Sequence, residues 1–412
     1  MTRKVLLASI KVGGGHTALR DSFQLSLQRA DPSGERFTLE PWESADEKTE
    51  ATYQLIVRKF KPVHWLLHTL SESDLLFRTL LGMQSWMVDE AKQVLLEKRP
   101  DVVVCTHFML SCSFVMARNQ LGLNTRIVTA IPDYGVPTSA FYPRLKSIRS
   151  DHVIVMEETA HEHLKTARNL PPSVLHFGGF LTRDPFTRLS AQISGERRFG
   201  KSQRQNLVAD LVKEHPQLRA YDAEKPTVIF LGGSAWTEKT LPVIDQILAQ
   251  PQFLEKANVI VVAGKNPEFH SLITKKTADI PSAMLFGFIT PTVMAQLLAL
   301  ADFPVLGSIA PATLHELLEL RCGPLFLHHF IPGQEKPHVS YIEDQKIGLY
   351  EPDAHKMVQM LRQAVGIDPR SAELEQLIAE FPKNALRIRN QNKQRAGTLA
   401  EFIENAARGA TV

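Results

Sequence analysis

With 412 residues, 44% of them hydrophobic and 22% charged, the chain has the composition of a soluble globular protein. It is longer than one hydrophobic core normally uses, so two domains are the default. A formal net charge of +3 is too small to argue for nucleic acid; it fits an anionic nucleotide ligand or an acidic lipid surface equally well.

Cys105, Cys112 and Cys322 show no paired framework and no close metal spacing, which favours a reducing cytoplasm. No uninterrupted apolar stretch approaches the ~20 residues that span a bilayer, so membrane contact is expected to be peripheral. The opening MTRKVLLASIKVGGGH breaks at a glycine cluster rather than a cleavage site, and Val5 to Ile10 reads as a first buried strand. Gly13, Gly14 and Gly15 then let backbone approach a ligand and open a helix carrying Leu19, Phe23 and Leu27. This is not the dinucleotide G-x-G-x-x-G pattern. His16, at the helix start, is placed either to act as a general base toward a hydroxyl or merely to cap the turn.

Residues 51–87 mix Tyr53, Phe60, Trp65, Phe77 and Trp86 with Arg58, Lys59, Lys61, His64 and Arg78. That alternation suits an amphipathic segment lying among lipid headgroups, and equally a helix packed on its own core. Val102 to Thr106, Arg126 to Ile131, His152 to Met156 and Ser173 to Phe177 follow as strands. Asp133 stands just past one of them, where open α/β sheets keep ligand groups. Residues 183–225 are basic and polar and read as a linker holding one short helix, Leu207 to Val212. Strands resume at Thr227 to Leu231, followed by Gly232, Gly233 and Ser234, then at Val259 to Ala263 and Met284 to Phe288. The expected organisation is α/β. A Rossmann-like domain at 1–182 and another at 226–371 would face each other across a cleft, and helices at 372–412 would pack back toward the first.

The stretch from Ile289 to Glu335 reads as helix, strand, tight turn, helix, strand and loop. A strand feeding a helix through Ser308 to Thr313 offers free N–H groups and a dipole end to a diphosphate. Glu316, one turn into that helix, is placed to accept from ribose hydroxyls, and Gln334 and Glu335 to bind a sugar. An ordinary βαβ unit with Glu316 facing water fits the same pattern. The chain has no Asp-x-Asp pair, no G-x-S-x-G elbow and no P-loop. A leaving diphosphate would then rely on backbone N–H groups, helix dipoles and basic side chains such as Arg183.

Several of these pieces occur together in one known group. They are Gly13 to His16, the segment around Tyr53 to Trp65, Thr129 to Tyr134, Gly179 to Arg183 and Gly232-Gly233-Ser234. Gly287-Phe288-Ile289, Glu316 and Pro332-Gly333-Gln334-Glu335 complete the set. In this order they resemble the monogalactosyldiacylglycerol synthase and processive diacylglycerol glucosyltransferase group of glycosyltransferase family 28. The resemblance implies a GT-B fold and an inverting hexosyltransferase at the inner face of the cell membrane. It implies a UDP-hexose donor, a diacylglycerol acceptor, an anionic membrane surface, no nucleic acid, and no metal or other cofactor. Carried over, His16 and Asp133 would be catalytic. Arg183, Gly232, Gly233, Ser234, Phe288, Ile289, Ala312, Thr313, Glu316, Gln334 and Glu335 would hold the donor. Gly14, Gly15, Tyr53, Phe60 and Trp65 would face acceptor and membrane. The chain departs from the group at Ala310-Pro311, Leu317 and Pro137. Another lipid-linked acceptor, nucleotide-sugar epimerisation, or a membrane-surface binding role without turnover are the alternatives.

Overall fold

The computed structural model describes residues 2–10, 15–44, 85–195, 198–232, 237–332 and 334–409. The first sheet holds β1 (Arg3–Ile10), β2 (Phe37–Ser44), β3 (Val102–Cys105), β4 (Arg126–Ile131), β5 (His152–Val155) and β6 (Leu175–Phe177). The second holds β7 (Thr227–Leu231), β8 (Asn258–Val262), β9 (Ala283–Phe286), β10 (Phe303–Leu306), β11 (Leu325–Leu327) and β12 (Gly348–Tyr350). Their spatial orders are β2-β1-β3-β4-β5-β6 and β12-β11-β10-β7-β8-β9. The pairings that matter most, β1 with β3 and β7 with β10, are parallel, with Val5 opposite Val102 and Val228 opposite Phe303. This is the α/β architecture expected from alternating apolar runs and amphipathic helices.

The strands are apolar because helices cover both faces of a parallel sheet. VVVC of β3 and TVIFL of β7 are buried at every position. Phe114 and Leu95 pack on the first sheet together with Leu6 and Val103, while Phe253 and Leu361 pack on the second with Phe230 and Val305. β2 was not expected. Its sequence FTLEPWES carries a proline, which the strand tolerates because it lies at the sheet edge.

The chain divides into two compact units, residues 1–181 with 391–412, and residues 182–390. The segment 183–225 therefore does not stand apart as a linker but belongs to the second unit. Helices Asp184–Ser190 and Lys201–Leu211 form there; the first buries Phe186, and a polar contact anchors the second. Arg204 donates through Nη1 and Nη2 to the two oxygens of Asp302 at 2.9 and 2.6 Å, and Asp302 also accepts from the Thr227 backbone at 2.9 Å. Asp302 thus ties the entry of β10 to that of β7. In the first unit the terminal residues are held as closely. A Cβ on Gly179 would sit 1.9 Å from the Asn392 carbonyl, and Arg36 pairs with Glu404 at 2.8 Å.

Asp302→Ala leaves the Arg204 charge buried without its carboxylate and should cost roughly 3 kcal/mol. Denaturant titration of the whole chain checks this; an unchanged midpoint would show that the pair does not anchor residues 198–211.

Candidate active site

In a doubly wound sheet, the strands laid on either side of the first one leave a crevice at their carboxyl ends. In the first sheet that crevice lies between β1 and β3. The helix Gly15–Ala30 follows β1 there, and His16 is in its first turn. Its Nδ1 lies 2.6 Å from the carbonyl oxygen of Thr106, the residue after β3. A carbonyl only accepts, so Nδ1 carries the hydrogen and Nε2 keeps the lone pair. Next to it, His107 caps the helix Phe108–Leu121 by accepting the Met109 N–H on Nδ1 at 3.2 Å. The two imidazoles meet edge to face, 4.8 Å between centroids.

Burial holds both histidines below their ordinary value of 6.5, His107 well below it. For His16 the Asp133 charge and the Thr106 carbonyl act the other way, favouring the imidazolium. His16 is thus a neutral base with a carboxylate ready to stabilise it once protonated. Asp133 sits in a half-buried loop after β4. Glu157 fixes that loop: it accepts from Gly135 N at 3.0 Å while capping the helix Glu158–Thr166 through Thr159 and Ala160. Gly135 has φ 81°, which favours glycine. Thr106, His107 and Glu157 were not expected as part of this arrangement; each acts through a partner distant in sequence. Gly15 begins the helix, whereas Gly14, Tyr53, Phe60 and Trp65 lie outside the described residues.

In the second sheet the crevice lies between β7 and β10. Gly232 follows β7; Gly233 and Ser234 are outside the described residues. β10 leads into the helix Pro311–Glu319, whose cap residue Ala310 makes no side-chain bond to it. Pro311 has no N–H, but Ala312 and Thr313 present theirs without intrahelical partners. Glu316, in the middle of this helix, is buried and pairs with Arg183, whose Nε and Nη2 both donate to Oε1, the first at 2.9 Å. Two residues singled out separately in the sequence therefore meet. Burial raises the Glu316 carboxyl above its usual range, and Arg183 draws it back. Leu317, where the group usually has a small residue, is buried completely.

The loop between β10 and this helix is braced from one side. His329 Nδ1 donates to Gly307 O at 3.0 Å and His338 Nδ1 to Ile309 O at 2.9 Å. The Ser308 hydroxyl donates to Glu335 Oε1 at 2.6 Å, and Glu335 Oε2 accepts from Ile331 N at 2.7 Å. Both Glu335 oxygens are engaged inside the protein, so this carboxylate holds the loop, while Gln334 beside it is half-buried. Phe288, just past β9, is 67% exposed, with the Lys265 ammonium 5.2 Å from its ring centre, and Ile289 follows it. The described residues contain no group of three or more His, Cys, Asp or Glu placed to hold a metal ion, and no helix among them is long and apolar enough to cross a membrane.

The family model described as monogalactosyldiacylglycerol (MGDG) synthase matches residues 20–179. A probable monogalactosyldiacylglycerol synthase 3 of Oryza sativa subsp. japonica, chloroplastic, is 22% identical over 394 residues, covering 91% of this chain and 70% of that protein. Chloroplastic monogalactosyldiacylglycerol synthase 2 of Arabidopsis thaliana is 23% identical over 371 residues, 85% and 71% of the two chains. The chain is similar to the monogalactosyldiacylglycerol synthases along most of its length. The group that its motifs resemble and the group found by similarity along the chain are the same. Among solved structures, MurG of Acinetobacter baumannii superposes with a TM-score of 0.55 at 12% identity, covering 98% of this chain and 99% of that one. The UDP-GlcNAc 2-epimerase of Neisseria meningitidis bound to UDP-GlcNAc gives 0.57 at 11%, over 99% and 100%. At such identities these likenesses show the fold alone, and it is the GT-B fold.

A lowered His16 pKa means that the neutral ring, with its hydrogen on Nδ1, persists into solution more acidic than 6.5. Nitrogen-15 NMR of histidine-labelled protein should show this tautomer at pH 7. An Nε2-protonated His16 ring would contradict the Thr106 hydrogen bond as the orienting contact.

Proposed function

We infer that the protein is an inverting glycosyltransferase that moves a hexose from a UDP-sugar to diacylglycerol at the cytoplasmic membrane face. The observation that carries this reading is His16. Its Nε2 lone pair is fixed by the Thr106 bond to Nδ1 and electrostatically backed by Asp133, at the crevice between β1 and β3. His16 Nε2 accepts the proton of the acceptor hydroxyl as that oxygen attacks the anomeric carbon. The bond from that carbon to the β-phosphate oxygen breaks, UDP departs, and the configuration inverts in one displacement. Asp133 stabilises the imidazolium that forms.

In the second unit, the N–H groups of Ala312 and Thr313, the helix dipole and Arg183 take up the charge growing on the diphosphate. Glu316 Oε2, the oxygen not occupied by Arg183, accepts from the ribose hydroxyls. Phe288 offers an exposed face for the uracil and Gln334 a polar group for the hexose. Residues 51–87 would meet the membrane. Transfer to another lipid-linked acceptor would use the same groups, so acceptor as well as donor has to be varied.

The test is UDP release in diacylglycerol–detergent micelles, with UDP-glucose, UDP-galactose and UDP-N-acetylglucosamine offered separately, with and without lipid. Release should require both lipid and one donor, and His16→Ala should lower kcat by about 10²–10⁴. Undiminished turnover by His16→Ala would remove His16 as the base. The free-enzyme kcat/KM should fall as pH drops through the His16 pKa, below 6.5, because protonation removes the base. Glu316→Ala should weaken donor binding by about tenfold or more while liposome association stays intact; equal loss of both would overturn the assignment of the donor to the second unit.

A further inference from the structure

The first sheet has another edge, at the amino ends of its strands. There, beside the starts of β4 and β5, a cavity of about 380 Å³ is lined by Arg118, Arg126, Lys146, Arg149, Asp151 and His152, among others. Its size is that of a small-ligand pocket. Asp151 accepts from Arg118 Nη1 and from Ile127 N, the latter at 2.8 Å, so that pair is self-contained. Arg126, Lys146 and Arg149 have no carboxylate within ion-pair distance among the described residues.

Packing, not a counter-charge, positions two of the three. Arg149 lies over the Tyr142 ring at 5.6 Å. Arg126 abuts Gly409, where an added Cβ would come within 2.7 Å of its Nη2. Ser150, also in the lining, accepts from Thr129 Oγ1 at 2.8 Å and so keeps its own hydroxyl hydrogen to donate. Three like charges gathered in one concavity repel one another and concentrate anions. Two guanidinium forks, an ammonium and a hydroxyl donor match the oxygens of a phosphate better than a single carboxylate.

We propose that this cavity is a second ligand site, binding a phosphomonoester or diphosphate group, either free in solution or as the head of a lipid. It is separate from the groups that act on acceptor and donor and uses none of them. Titration calorimetry of the whole chain with pyrophosphate should show a binding class weakened at least about tenfold in Arg126→Gln/Arg149→Gln. The exposed Lys146, changed to Glu, should weaken it too, without touching the core. Arg183→Gln, in the other unit, should leave this class intact. Sedimentation with phosphatidylcholine vesicles, with or without phosphatidic acid, separates the sources. Loss of phosphatidic-acid-dependent binding in the cavity variants identifies a lipid head, while loss of pyrophosphate binding alone identifies a soluble ligand. If the cavity variants match the parent in both measurements, the site does not exist.

Discussion

Parallel strands all end on the same edge of their sheet, and a chain that lays new strands on both sides of its first one must leave a crevice there. Both sheets of this protein meet that condition, between β1 and β3 and between β7 and β10. In each case a helix follows one of those strands, and His16 and Glu316 lie within the first two turns of these helices. His16 follows the first strand of its sheet, Glu316 follows the strand laid beside the first one in the other, and their chemistry is opposite. The first is a neutral base, and the second a carboxylate sharing its charge with Arg183.

Hydrogen bonds from distant segments turn these crevices into defined sites. Thr106 selects the His16 tautomer, Glu157 sets the loop that carries Asp133, and His329, His338 and Glu335 together brace the turn after β10. Glu157 and Glu335 have both carboxylate oxygens engaged, as burial demands. In the proposed reaction, rigid support of this kind would let a single imidazole nitrogen and a pair of N–H groups meet the charge that develops. Ala310-Pro311 is compatible with that role, since proline at the first helical position gives up an N–H while fixing the geometry of the next two.

Much of this was legible in the sequence because parallel strands buried on both faces are continuous apolar runs: Arg126–Ile131, Thr227–Leu231 and Phe303–Leu306 fall where those runs place them. β2 was hidden because an edge strand tolerates Pro41 and charged neighbours that elsewhere argue against a strand. Residues 183–225 looked like a linker because their attachment rests on Arg204 and Asp302, a contact spanning 98 positions that no local pattern reveals. His16, Asp133, Arg183 and Glu316 stood out by residue type at strand ends and by resemblance. The pairing of Arg183 with Glu316 did not, since the two lie 133 positions apart.

In the proposed reaction the turn and helix after β10 hold the nucleotide, and hydrogen–deuterium exchange with and without UDP would reveal it. UDP should slow exchange at Ser308 to Glu319 and around Ile331 to His338, and leave the strands of the first sheet unchanged. Protection confined to the first unit, or absent from the helix Pro311–Glu319, would contradict it.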